Sequence, residues 1–201
     1  MSQKYVVKIG GSLINVATRV IHELIKTKKP ILIVPGGSIF ADTVRSANVT
    51  DNTAAHWMAI ASMDQYGWYL STLNNNEHLD TETRCVIPNT GIKVLLPYKI
   101  MRENDPLPHT WDVSSDTIAT WIAFKLKCPL ILIKSVDGII TNPLNPPITD
   151  ITGKTPIQTD IIDKYCWQFV NKHNIQTTIV NGQKKDAILN WLTHNTDTVI
   201  P

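Results

Sequence analysis

Short β-branched runs bounded by glycine or proline alternate along the chain with longer segments of helical spacing, the pattern of a sheet flanked by helices. Tyr5 to Ile9 and Ile31 to Val34 read as strands, and the stretch from about Ile14 to Lys26 between them reads as a crossover helix, so the chain opens with a βαβ unit. Further strands are expected at Arg84 to Ile87, Lys93 to Leu96, Leu130 to Lys134 and Thr177 to Val180. The expected fold is α/β, a three-layer sandwich around a mainly parallel sheet, with residues 1–201 forming a single domain.

A long helix is expected between Asp51 and Leu73, with Asp51 as its cap. Ala54, Trp57, Met58, Ala61, Gln65 and Trp68 share one face by spacing, which predicts that they face the core. Ile60, Met63 and Tyr66 fall on its other sides, where they are either ordinary core contacts, the commoner case, or a surface that a second copy of the chain would cover; a homo-oligomer is expected. Thr72 to Glu82 reads as a polar surface connection. Asn142 to Pro147 and Thr152 to Pro156 concentrate proline, glycine and asparagine after the Leu130 run and read as a long loop.

Composition narrows the function classes. At 43% hydrophobic and 18% charged residues, the chain has enough apolar material for a buried core and is far from the profile of disordered proteins. A net charge of +2 with scattered lysines does not build the dense basic face that a nucleic-acid partner requires. Cys85, Cys128 and Cys166 are widely spaced and contain no CxxC pair, so neither a disulfide framework nor a zinc site is indicated, and no candidate metal ligands are assigned. No apolar run approaches the roughly 20 residues of a membrane span, and no signal-like stretch opens the sequence. A cytoplasmic protein with no membrane partner is expected.

The candidate chemistry lies in two glycine turns. Lys8-Ile9-Gly10-Gly11-Ser12 closes the first strand and opens a helix, an arrangement that brings backbone N–H groups to an anion. Lys8, one strand residue before the turn, can add its ammonium. Val34-Pro35-Gly36-Gly37-Ser38 repeats the pattern after the second strand. At the carboxyl ends of adjacent parallel strands, two such turns would lie side by side and hold two anionic groups. Neither has the GxxxxGK[ST] or GxGxxG spacing, so a P-loop and a dinucleotide fold are disfavoured. A lysine at a strand end is, taken alone, most often only solvated.

Val7-Lys8-Ile9-Gly10-Gly11-Ser12, Pro35-Gly36-Gly37, Trp111-Asp112-Val113-Ser114-Ser115-Asp116-Thr117 and Val136-Asp137-Gly138-Ile139 together resemble, in order and spacing, the motifs of the amino acid kinase superfamily. The resemblance runs from Lys4 to about Gly182, and Thr198 to Ile200 looks like that family's last strand. Within the superfamily, His56-Trp57-Met58-Ala59, Met63 to Gly67 and Leu107 to Asp112 resemble a branch that phosphorylates an aminomethylfuranyl-methyl phosphate in methanofuran biosynthesis. The resemblance implies an ATP-dependent kinase that uses Mg2+ and acts on a small anionic acceptor. It implies catalytic roles for Lys8 and Asp116, a donor-phosphate turn at Gly10, Gly11 and Ser12, and a nucleotide-facing strand end at Ser135, Asp137 and Gly138. Gly36, Gly37, Ser38 and Ser115 would border the acceptor, and His109 and Trp111 could line its pocket.

Two departures from the family pattern matter. The Gly-Gly-Met segment that carries the family's other catalytic lysine is missing, and Lys134 stands where a hydroxyl residue is usual, so Lys134 is expected to supply the second positive charge. Ser38 stands where relatives often continue the glycine run. Asp116 could alternatively cap its helix, and Asp42 or Asp64 could pair with an aminomethyl group. Lys184 and Lys185 are left out of the catalytic set. Two alternatives stay open: a kinase of uridylate or isopentenyl phosphate type, or a non-catalytic nucleotide- or oxyanion-binding protein on the same fold.

Overall fold

The computed structural model describes residues 2–74, 77–142 and 144–194. Six parallel strands form its sheet: β1 (Tyr5–Ile9), β2 (Ile31–Pro35), β3 (Asp80–Glu82), β4 (Ile92–Leu95), β5 (Leu130–Lys134) and β6 (Thr177–Asn181), in the order β3-β4-β2-β1-β5-β6. Seven α-helices accompany it among the described residues: α1 (Ala17–Lys26), α2 (Ser38–Ser46), α3 (Asn52–Ser71), α4 (Pro97–Asn104), α5 (Ser115–Leu126), α6 (Lys164–His173) and α7 (Ala187–His194). A 3₁₀ turn at Gly11–Val16 leads into α1, so the expected first helix begins earlier and tighter than its spacing implied. The expected strand at Thr198 to Ile200 lies outside the described residues.

The side chains of β1, β2 and β5 alternate between two apolar clusters, as a strand's two-residue period requires. Val7, Ile9, Ile31, Ile33, Ile131 and Ile133 pack with Val20, Leu24 and Ile188 of α1 and α7. Val6, Leu32, Leu130 and Leu132 pack on the other face with Ile118, Ile122, Trp167 and Val170 of α5 and α6. Continuous apolar strands covered on both sides are what a parallel sheet demands. Glu23, buried in α1, receives the Asp186 and Ile188 amides and so fastens the start of α7.

Two expectations are corrected. Arg84 to Ile87 is not a strand; the edge strand is Asp80–Glu82, inside the segment expected to be a plain connection. The Glu82 carboxylate accepts from the Thr83 and Arg84 amides and from the Arg84 guanidinium, which turns the chain away from the sheet directly after β3. Pairing with β4 outweighs the poor strand propensity of Asp80 and Glu82. On α3, capped by Asp51 as expected, the face expected to be inward points outward: Met58 and Trp68 are 42% and 55% exposed, whereas Ile60, Met63, Tyr66 and Leu70 are buried. Of the expected core face only Trp57 is buried. This helix is apolar all round, so periodicity could not choose a side, and the fit of Gly67 against Leu95 and Leu96 did.

Candidate active site

The sheet's chain order reverses at the β1–β5 border, with β2, β4 and β3 on one side and β6 on the other. The crevice at the carboxyl ends of such a border is where open α/β sheets receive ligands. Strand parity puts Lys8 on the side of Val6, and Lys134 on the side of Leu130 and Leu132, both beneath α5. Lys8 pairs in register with Leu132, so Lys134 lies about 7 Å further along the strand direction.

Asp116 sits between them, in the first turn of α5. Ser114 caps that helix, its hydroxyl oxygen accepting from the Asp116 amide at 3.1 Å, so Asp116 does not spend its carboxylate on capping. Instead Oδ1 lies 2.7 Å from the Lys8 ammonium, and Oδ2 accepts from the Lys134 ammonium at 2.5 Å. The side chains of Lys8, Asp116 and Lys134 are only 5%, 4% and 14% exposed. Burial pushes the Lys8 ammonium below its ordinary range, and repulsion from Lys134 adds to this, against the pull of Asp116. Burial alone would raise the Asp116 carboxyl, but the two adjacent ammonium groups outweigh it and hold it below the usual range. Two cations share one anion, which leaves a net positive charge in a desolvated position. An anionic guest completes that balance.

The two glycine turns lie against each other, as expected. A Cβ on Gly11 would fall 2.4 Å from the Ser38 Cα, and one on Gly36 would fall 2.9 Å from the Gly11 amide nitrogen, so the contact excludes any side chain. Ser38 adopts a left-handed φ of +51°, a conformation that costs a non-glycine residue roughly 1–2 kcal/mol, and its hydroxyl reaches the Gly11 carbonyl at 3.3 Å. The serine thus holds a backbone shape that favours glycine.

An open groove runs over this centre. Lys8, Gly11, Ser12, Gly37, Ser38, Trp111, Ser115, Asp116 and Lys134 line it, with Gly10 and Gly36 in the turns beneath. A narrower recess branches off past Gly37 and Arg45 between α2, α3 and the start of α5, walled by Ala41, Ala55, Ile60, Met63 and Ile118. Arg45, ion-paired to Asp42, lies over the Trp111 ring at 5.7 Å where groove and recess meet.

Not every expected site residue comes to the groove. His109 is placed behind the recess: its ring stacks on His56 at 4.3 Å and contacts Thr53 and Asp105 through its two nitrogens. Ser135, Asp137 and Gly138 follow β5 but do not line the groove; Asp137 pairs with Lys184 at 2.5 Å and accepts from Asn181 at 3.0 Å, at the neighbouring end of β6. Asp64 accepts from the Tyr98 amide at the start of α4, with burial pushing its carboxyl up to about 6, and lines neither the groove nor the recess.

Several groove and recess residues escaped sequence reasoning. Arg45 carries a spacing signal, i+3 from Asp42. Asp163 precedes the apolar pattern of α6 at a cap position. His56 had no local signal of a recess: it is 8% exposed, its Nε2 has no hydrogen-bond partner among the described residues, and burial, helped by His109, pushes its pKa down to about 4. Thr159 to Ile162, which close the groove on the α6 side, come from a loop.

The model of the amino acid kinase family matches residues 3–181. The chain belongs to that family. A curated relative, the (5-(aminomethyl)furan-3-yl)methyl phosphate kinase of Methanocaldococcus jannaschii, is 29% identical, with 98% of this chain and 97% of the relative covered. Among solved structures, the UMP kinase of Ureaplasma parvum matches with a TM-score of 0.66 at 16% identity, and the uridylate kinase of Archaeoglobus fulgidus with 0.60 at 14%; each covers 98% of this chain and 97% of its own. At those identities the likeness to the two structures is one of fold. In this family member, the anion-ready centre of Lys8, Asp116 and Lys134 occupies the carboxyl edge of the sheet.

Proposed function

We propose that this protein transfers the γ-phosphoryl group of ATP to the phosphate of a small phosphate monoester, with (5-(aminomethyl)furan-3-yl)methyl phosphate as the first acceptor to test. The observation that carries the reading is the pairing of both Lys8 and Lys134 with the single buried carboxylate of Asp116, beside two glycine turns. Phosphoryl transfer needs little covalent help from a protein; it needs the reacting oxygens held in line and their charge neutralised. Lys8 and Lys134, fixed by Asp116, supply preorganised charge, and the Gly11 and Gly37 turns supply backbone N–H groups to donor and acceptor phosphates. An acceptor phosphate is already ionised near neutral pH, so the reaction requires no general base.

The acceptor's ring would enter the apolar recess, with Trp111 at its mouth. Asp42, on the groove wall and paired with Arg45, would share its carboxylate with an aminomethyl group, whereas Asp64 lines neither groove nor recess. Among the described residues no cluster of three or more potential ligands is built for a metal ion. Mg2+ would be carried by the nucleotide phosphates with several waters and would need only one or two protein oxygens. Asp160, exposed on the groove wall, would take such a share, while the ion itself would neutralise charge on the phosphates.

Purified protein, Mg-ATP and a panel of phosphate monoesters test the reading: ADP release that depends on the furan phosphate supports it. Faster turnover of uridylate or isopentenyl phosphate would reassign the acceptor, and tight ATP binding without release for any acceptor would make the protein a binding module. We also infer that two copies associate through the outward face of α3, where Ala54, Met58, Ala61, Gln65, Trp68 and Thr72 repeat at spacings of four and three, the seam of a helix pair. A monomeric mass in light scattering would refute this. No helix among the described residues is long and apolar enough to cross a membrane. We place the protein in the cytoplasm, where ATP is abundant and its three free cysteines stay reduced.

A further inference from the structure

Asp163 lies on the groove wall, where a carboxylate invites assignment as a metal ligand. Its oxygens are already taken. Oδ1 accepts from the Cys166 amide at 2.7 Å, which caps α6, and from the Thr117 hydroxyl at 2.5 Å. Oδ2 accepts from the Ser114 hydroxyl at 2.5 Å, the Ser114 amide at 3.1 Å and the Thr117 amide at 3.2 Å. Five donors meet a group with about four lone-pair sites, so no capacity remains for a cation.

Four of those donors come from Ser114 and Thr117, which bracket Asp116 in the first turn of α5. The Ser114 hydroxyl, donating to Asp163, accepts in turn from the Asp116 amide. One carboxylate on α6 therefore sets the rotation and height of the helix turn that carries Asp116. A second tie follows one turn along, where Thr120 contacts the Cys166 sulfur at 3.2 Å.

We propose that Asp163 is a positioning residue for phosphoryl transfer: by clamping Ser114 and Thr117 it holds Asp116 where both lysine ammonium groups are gathered. The proposal rests on the kinase reading above and deepens it. Asp116 must reach two ammonium groups on neighbouring strands at once, and a reacting geometry tolerates errors of only about 0.5 Å. In Asp163→Asn the amide brings its own N–H donors against the Ser114 and Thr117 donors, and the turn must rotate away.

The test compares wild type, Asp163→Asn, the double variant Ser114→Ala/Thr117→Val, and the triple variant. The furan phosphate, Mg-ATP and varied Mg2+ are used, and folded fractions are matched by circular dichroism. Expected for Asp163→Asn is a fall in kcat of roughly 10²-fold, with both KM values and the Mg2+ dependence nearly unchanged. Ser114→Ala/Thr117→Val should reproduce much of that fall, and the triple variant should add little more, because all act through one clamp. A raised Mg2+ requirement relieved by excess metal would make Asp163 a metal ligand and overturn the proposal; additive effects, or wild-type kcat in Asp163→Asn, would overturn it too. The side-chain NMR signals of Lys8 and Lys134 in the same variants give a readout independent of activity. They should shift in Asp163→Asn even if no acceptor is turned over, an outcome that would sink only the kinase reading. Unmoved lysine signals would sink the clamp.

Discussion

Two carboxylates at the carboxyl edge of the sheet make lysine pairs at comparable distances and in opposite surroundings. Asp116 holds Lys8 and Lys134 with all three groups largely out of water. Asp137 holds Lys184 at 2.5 Å with side chains 48% and 62% exposed. Water and salt screen the second pair, and its partners lose side-chain freedom to form it, so it contributes little to stability. The first is buried, and a buried ion group is seldom a net source of stability: desolvation roughly cancels the attraction. What its burial secures is position and field strength, since charges fixed in a dry site act on a transferred phosphoryl group without first reorganising. Equal ion-pair distances thus mark an exposed accessory in one place and the buried centre of the proposed site in the other.

Removing the central anion should break the contrast most sharply. Asp116→Ala leaves two ammonium groups in a desolvated site with no counter-charge, and an expected loss of about 3–5 kcal/mol in urea unfolding. A loss no larger than that of a surface substitution would show that the site is wetter than its geometry indicates. Next come the cations. Lys8→Ala and Lys134→Ala should each lower kcat by about 10²–10³-fold, equivalent to 2.7–4 kcal/mol of barrier, in single-turnover measurements. Full activity in Lys134→Ala would restrict the catalytic charge to Lys8.

A smaller effect is expected at the back of the recess. The unfolded chain protonates His56 below about pH 6.5, whereas the folded protein resists until about pH 4. Between those values the unfolded state binds more protons, so stability falls as the pH falls. His56→Gln should flatten that slope by roughly 1–2 kcal/mol, allowing for solvent screening. Comparing the two proteins is essential, because Asp64, whose folded pKa is raised to about 6, tilts the curve the opposite way over an overlapping range. An unchanged slope would show that His56 titrates freely. The smallest effect belongs to the exposed pair: Lys184→Ala should leave the melting temperature within about 2 °C, insensitive to added salt, and kcat nearly intact. A large loss of kcat there would give Lys184 a role at the nucleotide.

Legibility in the sequence followed the range of the interactions. The strands β1, β2, β5 and β6 are short runs rich in β-branched and apolar residues, and such runs announce themselves locally. β3 does not, because Asp80, Thr81 and Glu82 become a strand only by pairing with β4. The glycine turns and Lys8 were visible as a motif, yet the reason Gly11 must be glycine, the Ser38 backbone pressed against it, lies 27 residues away. His109 stood in a matched segment and still turned from the groove to stack on His56. Asp163 was invisible as a functional candidate, since its partners Ser114 and Thr117 belong to another helix.

By itself the sequence determined the alternation of strands and helices and the two backbone turns suited to anions. Those follow from local sterics and from the two-residue period of a strand. Only the tertiary structure decided which face of α3 is buried, that Asp116 meets both lysines rather than capping its own helix, and that Asp163 accepts five hydrogen bonds, four of them from the start of α5. Each of these depends on groups brought together from distant parts of the chain, where packing and desolvation, not local preference, set the outcome.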